Sequence, residues 1–139
     1  MLRRLTWVLT AVVIGGCAAL TEPLEVEDHP EVMIGGLVIL NQGQAYVTAA
    51  RVLVPATGQF VSCGNIAPRA RCATGFPEQR FSGNPLEITW SQGGEIFSTG
   101  ELRLDVPADA IESGHARVRI WIMGPGSAAA EIVATSGPG

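Results

Sequence analysis

Ser113 and His115 are residue types that nucleophilic catalysis uses. An acidic partner such as Asp105 or Asp109 would complete a Ser/His/Asp triad. However, Ser113 and His115 are only two residues apart in a segment with the composition of a turn, and the sequence has no GxSxG motif. We therefore expect His115 to be an exposed histidine at the edge of a strand, and a small hydrolase is the least favoured function.

Paired carboxylates for general acid/base catalysis could come from Glu87, Glu101 and Asp105. These acids alternate with apolar residues, and outward-facing acids on strands are ordinary solvated positions. All nine basic residues are arginines, so a GxxxxGK[ST] phosphate loop and Schiff-base chemistry are excluded. The formal net charge of −4 argues against a nucleic-acid partner. The sequence thus predicts a protein that is not an enzyme, with no catalytic residue, no metal ligand and no cofactor.

The N-terminus has the three parts of a secretory signal. Arg3 and Arg4 precede an apolar segment at 5–14, and Gly15 and Gly16 supply small residues before Cys17. The apolar segment is too short to span a bilayer comfortably, since a helix needs roughly 20 residues for that. Residues 1–16 are therefore predicted to be a cleaved signal peptide.

The sequence Ile14-Gly15-Gly16-Cys17 resembles the lipobox of bacterial lipoproteins. The resemblance implies a covalent lipid on Cys17, with a diacylglyceryl thioether and an acylated amino group, and attachment to a membrane. Ala18 follows the cysteine, which by family analogy implies the periplasmic side of the outer membrane in a Gram-negative cell. The alternative is an ordinary secretory signal in which Cys17 is incidental. Residues 17–31 contain five acids and two prolines and are interpreted as a linker.

Cys63 and Cys72 form the remaining cysteine pair. Because an exported protein enters an oxidising compartment, the pair predicts a structural disulfide. Redox and metal-binding roles are the alternatives, although neither histidine is near the pair in sequence. The short separation also indicates that the bridge is not an inter-sheet bridge of the antibody kind.

From residue 32 onward the chain alternates strands and turns. About seven strands are expected, at 32–40, 44–54, 59–63, 86–91, 95–106, 116–123 and 128–134. Gly35-Gly36 suggests a bulge, and Gly93-Gly94 suggests the turn of a β-hairpin. In four of the strands, alternation predicts a set of residues that share one face: Tyr46, Thr48, Ala50, Val52 and Val54; Leu86, Ile88 and Trp90; Ile96, Ser98, Leu102 and Leu104; and Val118, Ile120 and Ile122, which are expected to face the core.

The predicted fold is all-β, a single small antiparallel β-sandwich at 32–135 followed by a flexible tail at 136–139. Its strand count and buried mid-chain tryptophan resemble immunoglobulin-like and fibronectin-type-III-like domains in architecture.

Two surfaces are candidates for recognition. The first is an outward stripe of arginine and aromatic residues, which are enriched in interface hot spots: Phe97, Arg103, Arg117, Arg119 and Trp121. Phe97 and Arg103 belong to it only if their strand shares a sheet with 116–123. In the alternative interpretation, arginine stems or a loop merely cover Trp121. The second is a long loop over 64–81, which contains Arg69, Arg71, Phe76 and Arg80. The disulfide either preorganises this loop for recognition or only stabilises a long connection between strands.

These features together predict a lipid-anchored cell-envelope protein whose sandwich serves protein–protein interaction or assembly. A lipoprotein that binds a glycan or another small ligand is the alternative function. The predicted partners are the membrane, through the lipid, and an envelope protein.

Overall fold

The computed structural model describes residues 32–81 and 83–136, with side chains at all of these positions except 76–79. The predicted signal peptide, the lipid site at Cys17 and the linker lie outside the described residues. The strands are β1 (Val32–Asn41), β2 (Val47–Val54), β3 (Gln59–Ile66), β4 (Arg71–Phe81), β5 (Leu86–Gln92), β6 (Glu95–Leu102), β7 (His115–Gly124) and β8 (Ser127–Ala134), with one short helix, α1 (Ala108–Ser113). No helix in this part of the chain is long and apolar enough to cross a membrane.

Two four-stranded sheets form the structure. Sheet A has the order β4-β1-β7-β8, and sheet B has the order β3-β2-β5-β6. The predicted all-β sandwich is confirmed, with eight strands instead of about seven. The expectation of a wholly antiparallel sandwich was wrong in one pair, since β1 and β7 run parallel. Parallel neighbours need a long crossover, and here most of the intervening chain forms sheet B and α1.

The strand β5 and its hairpin to β6 follow from local sequence. Leu86, Ile88 and Trp90 are buried, as predicted from their period of two. Gly93 and Gly94 have φ of 60° and 82°, as a two-residue type I′ turn requires, and only glycine adopts such angles without strain. The β5–β6 hairpin is therefore confirmed.

Bulges break the predicted shared faces of β2 and β6. In β2, Ala49 has φ 50° and the pairing register shifts there, so Val47 and Ala50 are both buried while Tyr46 is 63% exposed. In β6, Ile96 is 83% exposed and its neighbour Phe97 packs against the core instead. The predicted alternation was wrong at these positions because a bulge moves one residue out of the period of two.

The core lies between the sheets. Its largest fully buried side chains include Trp90, Ile39, Ile88, Ile120 and Ile122. The buried Asn41 connects three parts of the chain: its Nδ2 donates to the carbonyl oxygens of Ala45 (2.8 Å) and Ile66 (3.0 Å), and its Oδ1 accepts from the Gly43 N–H (3.0 Å). The sheets are thus joined by apolar packing and by a satisfied polar network at one end.

The Cys63–Cys72 disulfide is present, with the two Cα atoms 6.0 Å apart. Cys63 lies on β3, an edge strand of sheet B, and Cys72 lies on β4, an edge strand of sheet A. The bridge therefore does join the two sheets, contrary to the expectation from its short sequence separation. A tight turn at 67–70 carries the chain from one sheet to the other, which places the two edge strands side by side.

Candidate functional site

Two of the residues considered for catalysis, Ser113 and Glu87, make hydrogen bonds within the fold. The Ser113 hydroxyl has two carbonyl oxygens as acceptors for its one proton, those of His115 (2.9 Å) and Ala110 (3.3 Å), and it accepts from the His115 N–H (3.3 Å). These bonds close the end of α1 and orient the start of β7. Glu87 accepts a hydrogen bond from the Ser98 hydroxyl (2.8 Å) on the outer face of sheet B. Within residues 32–81 and 83–136, no three His, Cys, Asp or Glu side chains gather as metal ligands would.

The outer face of sheet A brings together most of the predicted arginine and aromatic stripe. Arg117, Arg119 and Trp121 alternate with the buried Val118, Ile120 and Ile122, as expected. The registers of the four strands align two rows across this face, Ala73–Val38–Arg119–Glu131 and Arg71–Leu40–Trp121–Ala129. Val38 therefore lies between Ala73 and Arg119, and Leu40 lies between Arg71 and Trp121.

Arg119 contacts both of its neighbours on this face. Its Nη1 lies 3.4 Å from Glu131 Oε1, and its Cζ lies 5.7 Å from the centroid of the Trp121 ring. Trp121 is half-buried, so Arg119 covers part of the indole, in agreement with the covering interpretation. Arg71 and Arg117 are exposed on the same face. The arrangement combines a partly shielded aromatic ring with two accessible guanidinium groups.

A groove of about 610 Å³ runs across this face. The bulge at Gly35-Gly36 in β1 and Gly75 in β4 form part of its lining, where no side chain fills the space. A Cβ on Gly36 would lie 2.9 Å from the Thr74 carbonyl oxygen, so this close approach of two backbones requires glycine. Side chains around the groove are Met33, Val38, Leu40, Arg71, His115, Arg117, Arg119 and Trp121. The face can hold an extended or flat ligand with apolar and negatively charged parts.

Phe97 and Arg103 do not belong to this face. Phe97 lies on β6 in sheet B and Arg103 directly follows that strand, so the condition for including them is not met. Phe97 packs on Trp90 with ring centroids 5.7 Å apart, and Arg103 is exposed between β6 and α1. The bulge in β6 turned Phe97 toward the core.

The segment 64–81 is not a long loop, because most of it is β4. Arg69 lies in the turn before β4, with φ 62°, and its N–H donates to the Asn41 carbonyl oxygen (2.8 Å). Arg71 and Arg80 lie near opposite ends of the strand, about 30 Å apart at the usual rise per residue. The side chain of Phe76 lies outside the described residues. The predicted recognition loop is therefore replaced by a strand that contributes Arg71 to the groove.

Sequence reasoning missed Met33, Val38 and Leu40 as parts of the outer face. The apolar run at 32–40 had indicated only a buried strand. The available signal was the length of this apolar run. Successive side chains of a strand point to opposite faces, so a strand in which nearly every residue is apolar has apolar side chains on both faces.

No protein-family model matches the sequence, and no curated protein matches it. One similar solved structure is described as the NMR structure of the protein from Eubacterium rectale, with 14% sequence identity and a TM-score of 0.45. The similarity covers 76% of this chain and 90% of that chain.

Proposed function

We propose that this chain is a lipid-anchored protein of the bacterial cell envelope that binds another protein through the outer face of sheet A. The anchor is the lipid expected on Cys17, and the location is the periplasmic side of the outer membrane in a Gram-negative cell. The domain acts in recognition or assembly and catalyses no reaction.

The observation that carries the proposal is the groove with its arginines and apolar side chains. Arg71, Arg117 and Arg119 lie on one face of a chain whose net charge is −4. Arginine, tryptophan and methionine are enriched in the centres of protein interfaces, where long apolar stems and guanidinium groups both contribute. Among the described residues of this face, Glu131 forms an ion pair with Arg119.

An acidic segment of a partner protein fits this face best. Charge complementarity would orient it and increase its association rate. The glycine-lined groove allows a backbone to approach closely, while Val38 and Leu40 would contact its apolar side chains. The contact would therefore combine hydrophobic burial with charge-assisted hydrogen bonds.

Glycan binding is the alternative function, and the geometry favours it less. A sugar ring stacks on an open aromatic face, whereas the Arg119 guanidinium covers part of the Trp121 ring. A hydrolase would need a base close to a nucleophile, whereas the Ser113 hydroxyl bonds to backbone atoms.

Charge reversal at the groove tests the proposal. We expect Arg117→Glu to abolish co-purification of a reproducible partner from crosslinked cell envelopes, because the side chain is exposed and its loss leaves the core intact. Arg103→Glu is the matched control, since it makes the same charge change at an exposed position away from the groove. Equal partner recovery with both variants, or retention on immobilised peptidoglycan with no protein partner, would contradict the proposal.

Metabolic labelling with a fatty acid tests the anchor separately. The wild-type chain should be labelled, and Cys17→Ala should not be labelled. Absence of label on the wild type would remove the anchor from the proposal without affecting the binding face.

A further inference from the structure

A second opening in the molecule lies between the sheets, along the side where the edge strands β3 and β4 meet. The Cys63–Cys72 bridge joins these strands at one end. Near the other end, Gln59–Val61 of β3 and Arg80–Phe81 of β4 form opposite walls of a cleft of about 470 Å³. This volume is within the range of about 300–1,000 Å³ found for small-molecule sites.

The walls of the cleft are the inner faces of the two sheets. Sheet A contributes Ile34, Leu37 and Val118, and sheet B contributes Val52 and Leu86, all of which are buried core residues. Closer to solvent, the walls are completed by half-buried apolar side chains, Val54, Val61 and Phe81. The cleft therefore leads from the surface directly to the hydrophobic core.

The rim of the cleft is polar. Thr57, Gln59 and Asn84 lie around it, and Arg80 is the only charged residue among the described residues that line it. A guanidinium group has five N–H donors and stays protonated. The Arg80 side chain can therefore donate hydrogen bonds to an anionic group in addition to the contacts that it already makes. The cleft thus has apolar walls and one positively charged side chain at its rim.

We propose that this cleft binds a linear hydrocarbon chain with a negatively charged head group, such as an alkyl carboxylate. The hydrocarbon would lie between the valines and leucines of the two sheets, and the head group would contact Arg80. Packed sheets are only about 10 Å apart, so a chain as narrow as an aliphatic side chain enters between them more easily than a bulky ring system. A glycan would leave hydroxyl groups unpaired against Val52, Val54 and Val61, which is unfavourable.

This site is separate from the groove on the outer face of sheet A. It lies between the sheets, whereas the groove lies on the solvent side of sheet A. Failure of one site to bind does not bear on the other, and the two can be tested independently.

Titration of the ¹⁵N-labelled protein with decanoate tests the proposal. We expect saturable shifts of backbone amides around Val54, Val61 and Leu86. Val61→Phe fills the cleft and should weaken decanoate binding at least tenfold. Val133→Phe is the matched control, because it enlarges a half-buried valine on β8, at the far edge of sheet A, and should leave binding unchanged.

The head group is tested with Arg80→Gln. This variant should weaken decanoate binding about two- to fivefold, as expected for an exposed ion pair, and leave 1-decanol binding unchanged. It also keeps the proposal testable if Val61→Phe does not fold. Decanoate shifts scattered over both outer faces, or equal decanoate affinity in Arg80→Gln and the wild type, would overturn the proposal. The proposal would also be overturned if the wild-type protein bound an extended apolar peptide saturably along β3 or β4 and did not bind decanoate.

Discussion

The two outer faces of the sandwich are built on the same strand geometry but differ in the side chains of their central strands. The outer face of sheet A has the apolar Val38 and Leu40 of β1 beside Arg119 and Arg71, and a groove at the glycine bulge. The outer face of sheet B aligns Glu87 with Glu101, and Thr89 with Ser98, across β5 and β6. This face also has two exposed apolar side chains, Phe60, whose ring centroid lies 4.0 Å from Arg51 Cζ, and Ile96.

The difference comes from the central strands. β1 is apolar on both of its faces, so its outward side chains, such as Val38 and Leu40, are available to a partner. β5 alternates strictly, so its outward residues Glu87, Thr89 and Ser91 are polar, and Glu87 accepts a hydrogen bond from the Ser98 hydroxyl. The apolar outward side chains of β1 are the reason for proposing the outer face of sheet A as the binding face.

Tryptophan substitutions should have the largest effect on the free energy of unfolding. They compare a residue on the inner face of sheet B with one on the outer face of sheet A. Trp90 is 1% exposed at the centre of the core, so Trp90→Ala should lower the free energy of unfolding by about 3–5 kcal/mol. Trp121→Ala, on the outer face, should cost about 1 kcal/mol or less. Urea denaturation measures both, and similar losses for the two variants would refute the assignment of Trp121 to an outer face.

Removing the disulfide should have the next largest effect, because it releases the edge where the two sheets are joined. The double variant Cys63→Ser, Cys72→Ser should lose about 2.5 kcal/mol of unfolding free energy in the chain-entropy model for so short a loop. Urea denaturation measures this loss. A native protein with two titratable thiols before any substitution would contradict this prediction.

Alanine substitutions at Gly35 and Gly36 should have the smallest effect on stability, and they test the groove of sheet A directly. Gly36→Ala places a Cβ 2.9 Å from the Thr74 carbonyl oxygen and should cost about 1–2 kcal/mol, because the β1–β4 pairing must move apart. Gly35→Ala is the control, since its Cβ would meet no atom within 4 Å, and its stability should change by less than about 0.5 kcal/mol. Thermal denaturation measures both, and equal costs would show that the groove does not depend on close backbone approach at Gly36.

Much of the fold was predictable from local patterns. Strict alternation identified β5 and β7 with their correct inward faces, and Gly93-Gly94 identified the hairpin. The faces of β2 and β6 were predicted wrongly at Tyr46 and Ile96, because a bulge depends on pairing with neighbouring strands and changes the period without a clear local signal. For the candidate site, Arg117, Arg119 and Trp121 followed from alternation along one strand, whereas Phe97 required knowledge of which sheet contains β6.

The sequence by itself determined that this chain forms strands, that Cys63 and Cys72 are paired and that an arginine and tryptophan stripe lies opposite the core on β7. Each of these depends on residue types and spacing over a short stretch of chain. Only the tertiary structure decided that β1 lies between β4 and β7, which brings Arg71, Leu40 and Trp121 into one row. It also decided that the disulfide joins two sheets and that a cleft remains beside it. Strand order is set by the packing of whole inner faces against each other, so it depends on residues distant in sequence.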